Sequence, residues 1–246
     1  MALTLNSNIA SLRAANTLNG TQGALSQTLS RISSGLRVVT AADDAAGSAV
    51  ATNLRTQARS GRQAIRNAND GLSVVQTAEA ASKEVVNILD RMRELSVQSS
   101  SQTLAAGERA YINDEFDDLS NEVQRIAKAT EFNDIALADG TNTSMTVQVG
   151  IDGGTESQVA ITLGNLTSST LGVATGDVDL TTASGAQTAI GVIDTALDSV
   201  NDIRAEYGSG SNRLTSSINN MTSYVESLSS AASQIMDADY AHETAE

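Results

Sequence analysis

The sequence predicts a mainly α protein: an elongated antiparallel helical bundle with coiled-coil seams, a small β-hairpin region and an N-terminal helical arm. Three observations predict it. The 246 residues contain no proline, the residue that breaks helix interiors. Apolar residues recur at heptad spacing through the C-terminal third, which marks a helix with one continuous seam. A stretch within residues 140–180 alternates apolar and polar side chains instead, the period of a strand.

The C-terminal pattern is the clearest. Ile193, Val200, Tyr207, Leu214, Met221, Leu228 and Ile235 occupy one heptad position, and Leu197, Ile218, Val225 and Ala232 the intervening one. A single helix over 187–236 follows, roughly 75 Å long at ~1.5 Å per residue. Gly208-Ser-Gly210 lies mid-way, but the register continues across it, so the helix is read as weak there and unbroken. Arg204 and Ser211 make the seam polar at that point. A second helix over about 108–130 carries the stripe Ile112, Phe116, Leu119, Val123 and Ile126. A third, over about 54–100, has the spine Ile65, Ala68, Leu72, Val75, Ala78, Val85, Ile88, Met92 and Leu95. Gly107 falls in the short link between these two and suits a tight reversal. Three long helices with narrow stripes pack as an antiparallel bundle.

In the 140–180 insert, Met145, Val147, Val149 and Ile151 alternate, as do Val159, Ile161 and Leu163, with a turn over 152–157. The glycine- and threonine-rich remainder reads as a loop-rich cap at one end of the bundle, too small for a core of its own. The N-terminal 40 residues are helical with two stripes. Leu5, Ile9 and Leu12 form one. Leu18, Leu25, Leu29, Ile32 and Leu36 form the other, about half a turn away at ~100° per residue. Either the helix breaks near Asn16 or its faces meet different partners. An arm of this kind is expected to order on assembly. The domain organisation is therefore an arm over 1–44, a bundle over 45–236 with its insert, and the start of a C-terminal arm over 237–246.

Composition excludes much chemistry. With no cysteine and a single histidine, His242, the chain has no disulfide, thiolate metal site, thiol nucleophile or paired-histidine metal site. There is no phosphate loop, dinucleotide fingerprint or zinc-protease helix motif. Asp114, Glu115, Asp117 and Asp118 lack calcium-loop spacing and read as a solvated helix face. No catalytic, cofactor-binding or metal-binding residue is expected. Six aromatics in all leave the core to Ala, Leu, Val and Ile, which suit close helix seams.

Charge is unevenly placed. Residues 1–66 hold seven arginines against Asp43 and Asp44, a net +5, whereas residues 67–246 hold 8 basic and 27 acidic groups, a net −19. The basic segment has no lysine and no aromatic, so nucleic acid is not an expected partner. Nor is a membrane, since no stretch approaches ~20 apolar residues. Arg55, Arg59, Arg62 and Arg66 share a helical face, and Asp194, Asp198, Asp202 and Glu206 share another. Each is either a solvated face or a contact for a neighbouring copy, so the arginine stripe joins Leu18, Leu25, Leu29, Ile32 and Leu36 as candidate assembly residues.

Short motifs at both ends then resemble bacterial flagellin. They are SSGLR at Ser33–Arg37, ADDAAG at Ala42–Gly47, NANDG at Asn67–Gly71, QTAE at Gln76–Glu79, RELSVQ at Arg93–Gln98 and FND at Phe132–Asp134, then NRL at Asn212–Leu214 and DADYA at Asp237–Ala241 with Glu243. The resemblance covers essentially the whole chain in order. It implies a structural subunit of the flagellar filament that self-assembles by packing terminal helices and bundle faces. It also implies export, without a cleaved signal peptide, through the flagellum-specific apparatus. The filament cap, the hook-associated proteins and an export chaperone are implied as partners. The large outer domain of many flagellins would fall at 165–187, so a minimal two-domain type is expected. The family's chain continues beyond Glu243 with an apolar helix that pairs with the N-terminal arm and usually binds the chaperone, whereas this sequence ends at Glu246. It is thus expected to polymerise poorly by itself and to keep residues 1–40 mobile. Arg91, Leu95 and Glu115 match positions through which a vertebrate Toll-like receptor recognises many flagellins. The alternatives are the related hook–filament junction protein and a soluble secreted ligand of that receptor.

The seam itself is testable. Ile218→Asp places a charge among the seam residues Ile193, Val200, Leu214, Ile218, Met221, Val225, Leu228 and Ile235. A stability loss of several kcal/mol is expected, read as a lowered melting temperature by circular dichroism.

Overall fold

A computed structural model describes residues 8–244. Leu5, in the first N-terminal stripe, lies outside the described residues. The elements are α1 (Ile9–Ser34), α2 (Ala45–Ser99), α3 (Ala106–Ala129), β1 (Glu131–Phe132), β2 (Ile135–Ala136), β3 (Ser144–Gln148), β4 (Gln158–Thr162), α4 (Ala183–Met236) and α5 (Tyr240–Glu243). This is the mainly α fold that the sequence predicts, with long helices and a small antiparallel β region. None of the described helices is long and apolar enough to cross a membrane.

Two compact units form, Gly61–Thr222 and the pairing of Met1–Ser60 with Ser223–Glu246. Their limits lie inside α2 and α4. The expected divisions at 44/45 and 236/237 coincide instead with the start of α2 and the end of α4.

In the Gly61–Thr222 unit the core is two clusters. One joins Val85, Leu89, Met92 and Leu95 of α2 to Ile112, Phe116, Val123 and Ala127 of α3 and to Ala186, Ala189, Ile193, Ala196 and Val200 of α4. The other joins Ala68, Val74, Val75 and Ala78 of α2 to Tyr207 and Leu214 of α4. As α2 advances, its α4 partners recede, so the two helices are antiparallel. Leu72 and Ile218 are half-buried beside the second cluster, and Ile65 is half-buried too. The largest fully buried side chains are Tyr207 and Phe116, so two of the six aromatics sit in a core that composition assigned to aliphatic residues. Burial pushes the Tyr207 phenol up, and its hydroxyl accepts the Gly164 N–H at 3.0 Å.

The helices start earlier than the apolar stripes suggest, because caps rather than stripes set their ends. Asp44 Oδ1 accepts the Gly47 N–H at 2.8 Å at the head of α2, and Thr182 Oγ1 accepts the Gly185 N–H at 3.0 Å at the head of α4. Residues 45–53 are mostly small and carry no stripe to read. α4 runs unbroken through Gly208 and Gly210.

Gly107 is not in the reversal between α2 and α3, as the sequence suggested; it is in the first turn of α3. The reversal is tied by the Arg109 guanidinium, which donates to the carbonyls of Ser99 (3.0 Å) and Ser101 (2.6 Å). Glu108 accepts the Ala105 N–H at 2.9 Å, satisfying a donor that the helix start leaves open.

The insert corrects a second expectation. It does not cap one end of the bundle but lies along it. Val147, Val149, Val159, Ile161 and Leu163 enter the second cluster. Leu166, Leu171, Val173, Val178 and Leu180 enter the first. β3 and β4 pair antiparallel, with Val147 opposite Val159, and their inward side chains alternate as a half-buried hairpin requires. β3 approaches α2 at Gly71, where an added Cβ would lie 2.8 Å from Val147, so glycine permits the contact. The β1–β2 hairpin went unread in the sequence. Its turn is Asn133-Asp134, with φ of 50° and 63°, the left-handed pair that Asn and Asp tolerate in two-residue hairpins.

In the other unit a small cluster of Val38, Ala51 and Met236 is flanked by Leu36 and Ile235. Val225, Leu228 and Ala232 are buried there, whereas Ile235 is half-buried, as is Met221 in the Gly61–Thr222 unit.

Candidate assembly surface

α1 is a continuous helix from Ile9 to Ser34 with no buried residue. Asn8 caps its start by accepting the Ser11 N–H at 3.0 Å. Gly35 closes it in the left-handed region (φ 70°), donating to the Arg31 carbonyl at 2.8 Å. The expected break near Asn16 is therefore absent, and the two stripes are two faces of one helix. Leu18, Leu25 and Leu29 are 62%, 58% and 57% exposed. Ile32 is half-buried, and Leu36 departs from the stripe by packing within the chain.

Below α1 the two chain ends clasp. Leu36 bridges Asp237 antiparallel. Arg37 N–H donates to Met236 O (2.7 Å), and Ala238 N–H to Gly35 O (3.0 Å). The Arg37 guanidinium reaches Ile235 O at 2.6 Å, and Tyr240 hydroxyl donates to Ile32 O at 2.9 Å. Arg31 Nη1 lies 3.2 Å from Glu243 Oε1, with the Glu243 side chain only 6% exposed. Arg31 Nε is buried and without a hydrogen-bond partner among the described residues. The structure thus joins SSGLR to DADYA across some two hundred residues, a meeting that no spacing in the sequence signals.

A second tie fastens the connecting loop to α1. The Asp43 carboxylate accepts the Thr40 N–H (2.8 Å), the Thr40 hydroxyl (3.1 Å), the Val39 N–H (3.1 Å) and the Gln27 amide (2.8 Å). These bonds, the Thr40 backbone bond foremost, hold its carboxyl below the usual carboxylate range.

Arg55, Arg59, Arg62 and Arg66 of α2 are all exposed. Arg66 bonds Gln63 Oε1 at 3.1 Å through Nε. On α4, Asp194 is not free for a neighbouring copy, because Arg93 Nε holds it at 2.7 Å. That bond lowers its carboxyl from the ordinary value. Asp198, Asp202 and Glu206 are exposed.

The three receptor positions separate. Arg91 pairs with Glu115 at 2.8 Å and with Glu94 at 3.0 Å, all three half-exposed or more. Leu95 is 1% exposed, in the α2–α3–α4 core. Its side chain offers no contact surface; it anchors the helix that presents Arg91. Asp114, Glu115, Asp117 and Asp118 hold no metal geometry, and no group of three potential ligands occurs among the described residues. Burial, with Asp114 adding to it, pushes the Asp117 carboxyl up.

Comparison with known proteins agrees with this architecture. Residues 5–143 match the family model for the bacterial flagellin N-terminal helical region, and residues 190–246 that for the bacterial flagellin C-terminal helical region. The chain is 42% identical to a flagellin of Halalkalibacterium halodurans, covering 89% of this chain and 79% of the relative. It is 30% identical to flagellin E of Vibrio cholerae, covering 99% and 91%. Among solved structures, Bacillus cereus flagellin matches with a TM-score of 0.56 at 31% identity, over 63% of this chain and 88% of the other. A putative flagellar hook-associated protein of Vibrio parahaemolyticus matches with a TM-score of 0.65 over 79% of this chain and 100% of the other, at 15% identity. That likeness is one of fold alone.

The clasp predicts a local effect. Glu243→Ala leaves the Arg31 guanidinium unpaired, so amide hydrogen exchange around residues 31–38 is expected to quicken by about tenfold or more. Glu243→Gln, which keeps an acceptor, should fall between.

Proposed function

The chain belongs to the bacterial flagellin family and is a structural subunit of the flagellar filament, not an enzyme, and we propose that it enters the filament through α1. The supporting observation is the leucine stripe. A 26-residue helix whose leucines all face solvent gains no stabilisation from burying them where it stands. A row of exposed leucines on one helix is the kind of patch that marks an interface. Burial of Leu18, Leu25, Leu29 and Ile32 against terminal helices of neighbouring copies supplies what the isolated chain lacks.

The relatives are named flagellins, which disfavours the hook–filament junction reading and that of a solely soluble ligand. The filament is extracellular. Family membership supports export through the flagellar apparatus without a cleaved signal peptide, together with an export chaperone, the filament cap and hook-associated proteins as partners.

Recognition by a vertebrate Toll-like receptor is a second reading, which the exposed Arg91–Glu115 pair supports. Such a contact would use the paired Arg91 and Glu115 side chains of α2 and α3, with buried Leu95 holding α2 in place.

Two outcomes test these readings. Leu25→Asp with Leu29→Asp, produced in a flagellated host beside that host's own flagellin, should leave the melting temperature unchanged, since both side chains are exposed, yet be lost from the filaments into which the parent chain is incorporated, read by immunogold electron microscopy. Arg91→Ala with Glu115→Ala should lower receptor-reporter potency by about tenfold or more, the scale of an interface hot spot. Unaltered potency would remove the second reading.

A further inference from the structure

Two stripes of charge have no hydrogen bond or ion pair among the described residues. On α2, Arg55, Arg59 and Arg62 are exposed, with no hydrogen bond or ion pair among the described residues. On α4, Asp198, Asp202 and Glu206 are exposed and unpaired in the same sense. Each stripe stops where the next charge is already engaged. Arg66 is bonded to Gln63, and Asp194 to Arg93. What remains is three charges on each side.

The two sets match in length and arc. At ~1.5 Å per residue, Arg55 to Arg62 rises ~10.5 Å, and Asp198 to Glu206 rises ~12 Å. At ~100° per residue, the arginines fall within an arc of ~60° and the acids within ~80°. Two helices laid side by side could therefore face every charge of one stripe with an opposite charge of the other.

Resting on the filament reading above, we propose that the Arg55–Arg59–Arg62 stripe of one copy docks on the Asp198–Asp202–Glu206 stripe of another. The contact is heterologous, since the two patches differ. A heterologous contact whose rotation does not close propagates as a helical polymer. It also answers a charge problem. Copies that each carry −14 repel as they approach, and a local basic patch meeting an acidic one orients the encounter against that repulsion. A polyanion is the weaker occupant for the arginines. The stripe contains no lysine or aromatic, and the anionic body would repel nucleic acid or an acidic membrane.

Charge reversal with rescue tests the pairing in the full chain. One variant carries Arg55→Glu, Arg59→Glu and Arg62→Glu; a second carries Asp198→Lys, Asp202→Lys and Glu206→Lys; a third carries all six. Circular dichroism should show all three folded, because no altered side chain has a hydrogen bond or ion pair among the described residues. Each triple variant should assemble about tenfold less well or worse, from like charges set opposite one another. The six-site chain should recover most of the loss, and moving from ~0.01 M to ~1 M salt should abolish the recovery as the screening length falls from ~30 Å to ~3 Å. A six-site chain no better than the triples overturns the pairing. So do triples that assemble like the parent. In both cases the Leu25→Asp and Leu29→Asp result still decides the filament reading by itself.

The absence of cysteine allows a second measurement, independent of the charges. Copies with Thr56→Cys are mixed with copies carrying Ala205→Cys, two exposed positions flanking the stripes, and linked with a short bis-maleimide. Heterodimers well beyond the 1:2:1 proportion that random linkage of an equal mixture gives, decreasing with salt, support the contact. Heterodimers at or below that proportion overturn it.

Discussion

The narrow antiparallel seam between α2 and α4 is the constraint on which the Gly61–Thr222 unit depends. Its two helices run for 55 and 54 residues, a length open to them because no proline interrupts either. Close approach is set by small side chains. Ala68, Ala78, Ala186, Ala189 and Ala196 are all buried, and a seam of alanines lets backbones come near. Two serines inside it satisfy themselves locally. Ser82 and Ser96 hydroxyls donate to the carbonyls four residues earlier, at 2.9 Å each, so neither needs a partner across the seam. With that seam in place, α3 and the insert have one surface to cover.

The insert shows how a weak element borrows a strong one. Two short strands are not stable alone, and the loop after them has no regular structure over most of its length. Their apolar side chains nevertheless complete both core clusters. Ser99 hydroxyl donates to Leu180 O at 2.6 Å and Leu180 N–H to Asn113 Oδ1 at 3.0 Å, so the loop is tied to α2 and α3 by side chains rather than by a ladder. The same logic holds at the chain ends. SSGLR and DADYA are each too short to fold, and each becomes ordered backbone by hydrogen-bonding the other.

The molecule separates what it satisfies internally from what it leaves open. Internal ion pairs such as Arg91–Glu115 and Arg93–Asp194 link helices across the surface, where each contributes little to stability. The leucines of α1 and the central charges of two stripes have no such partner among the described residues. A filament subunit needs this division, since a face already engaged within the monomer offers a neighbour nothing.

Much of this was legible in the residues. Heptad spacing located α4 and carried it through Gly208 and Gly210, because a register kept on both sides outweighs a local propensity cost of about 1 kcal/mol per glycine. Period-two alternation located β3 and β4. The Asn133-Asp134 turn had a readable signal, and only its brevity hid it. What the sequence alone determined was the set of elements and the faces they carry, since both follow from periodicity along one helix or strand. Tertiary structure alone decided how those faces are used. Leu95 became core, Asp194 was taken by Arg93, the insert lay along the helices, and the two ends met at Arg31 and Glu243. Those outcomes are contacts between residues far apart in the chain, and periodicity within one element carries no information about which distant face it will meet.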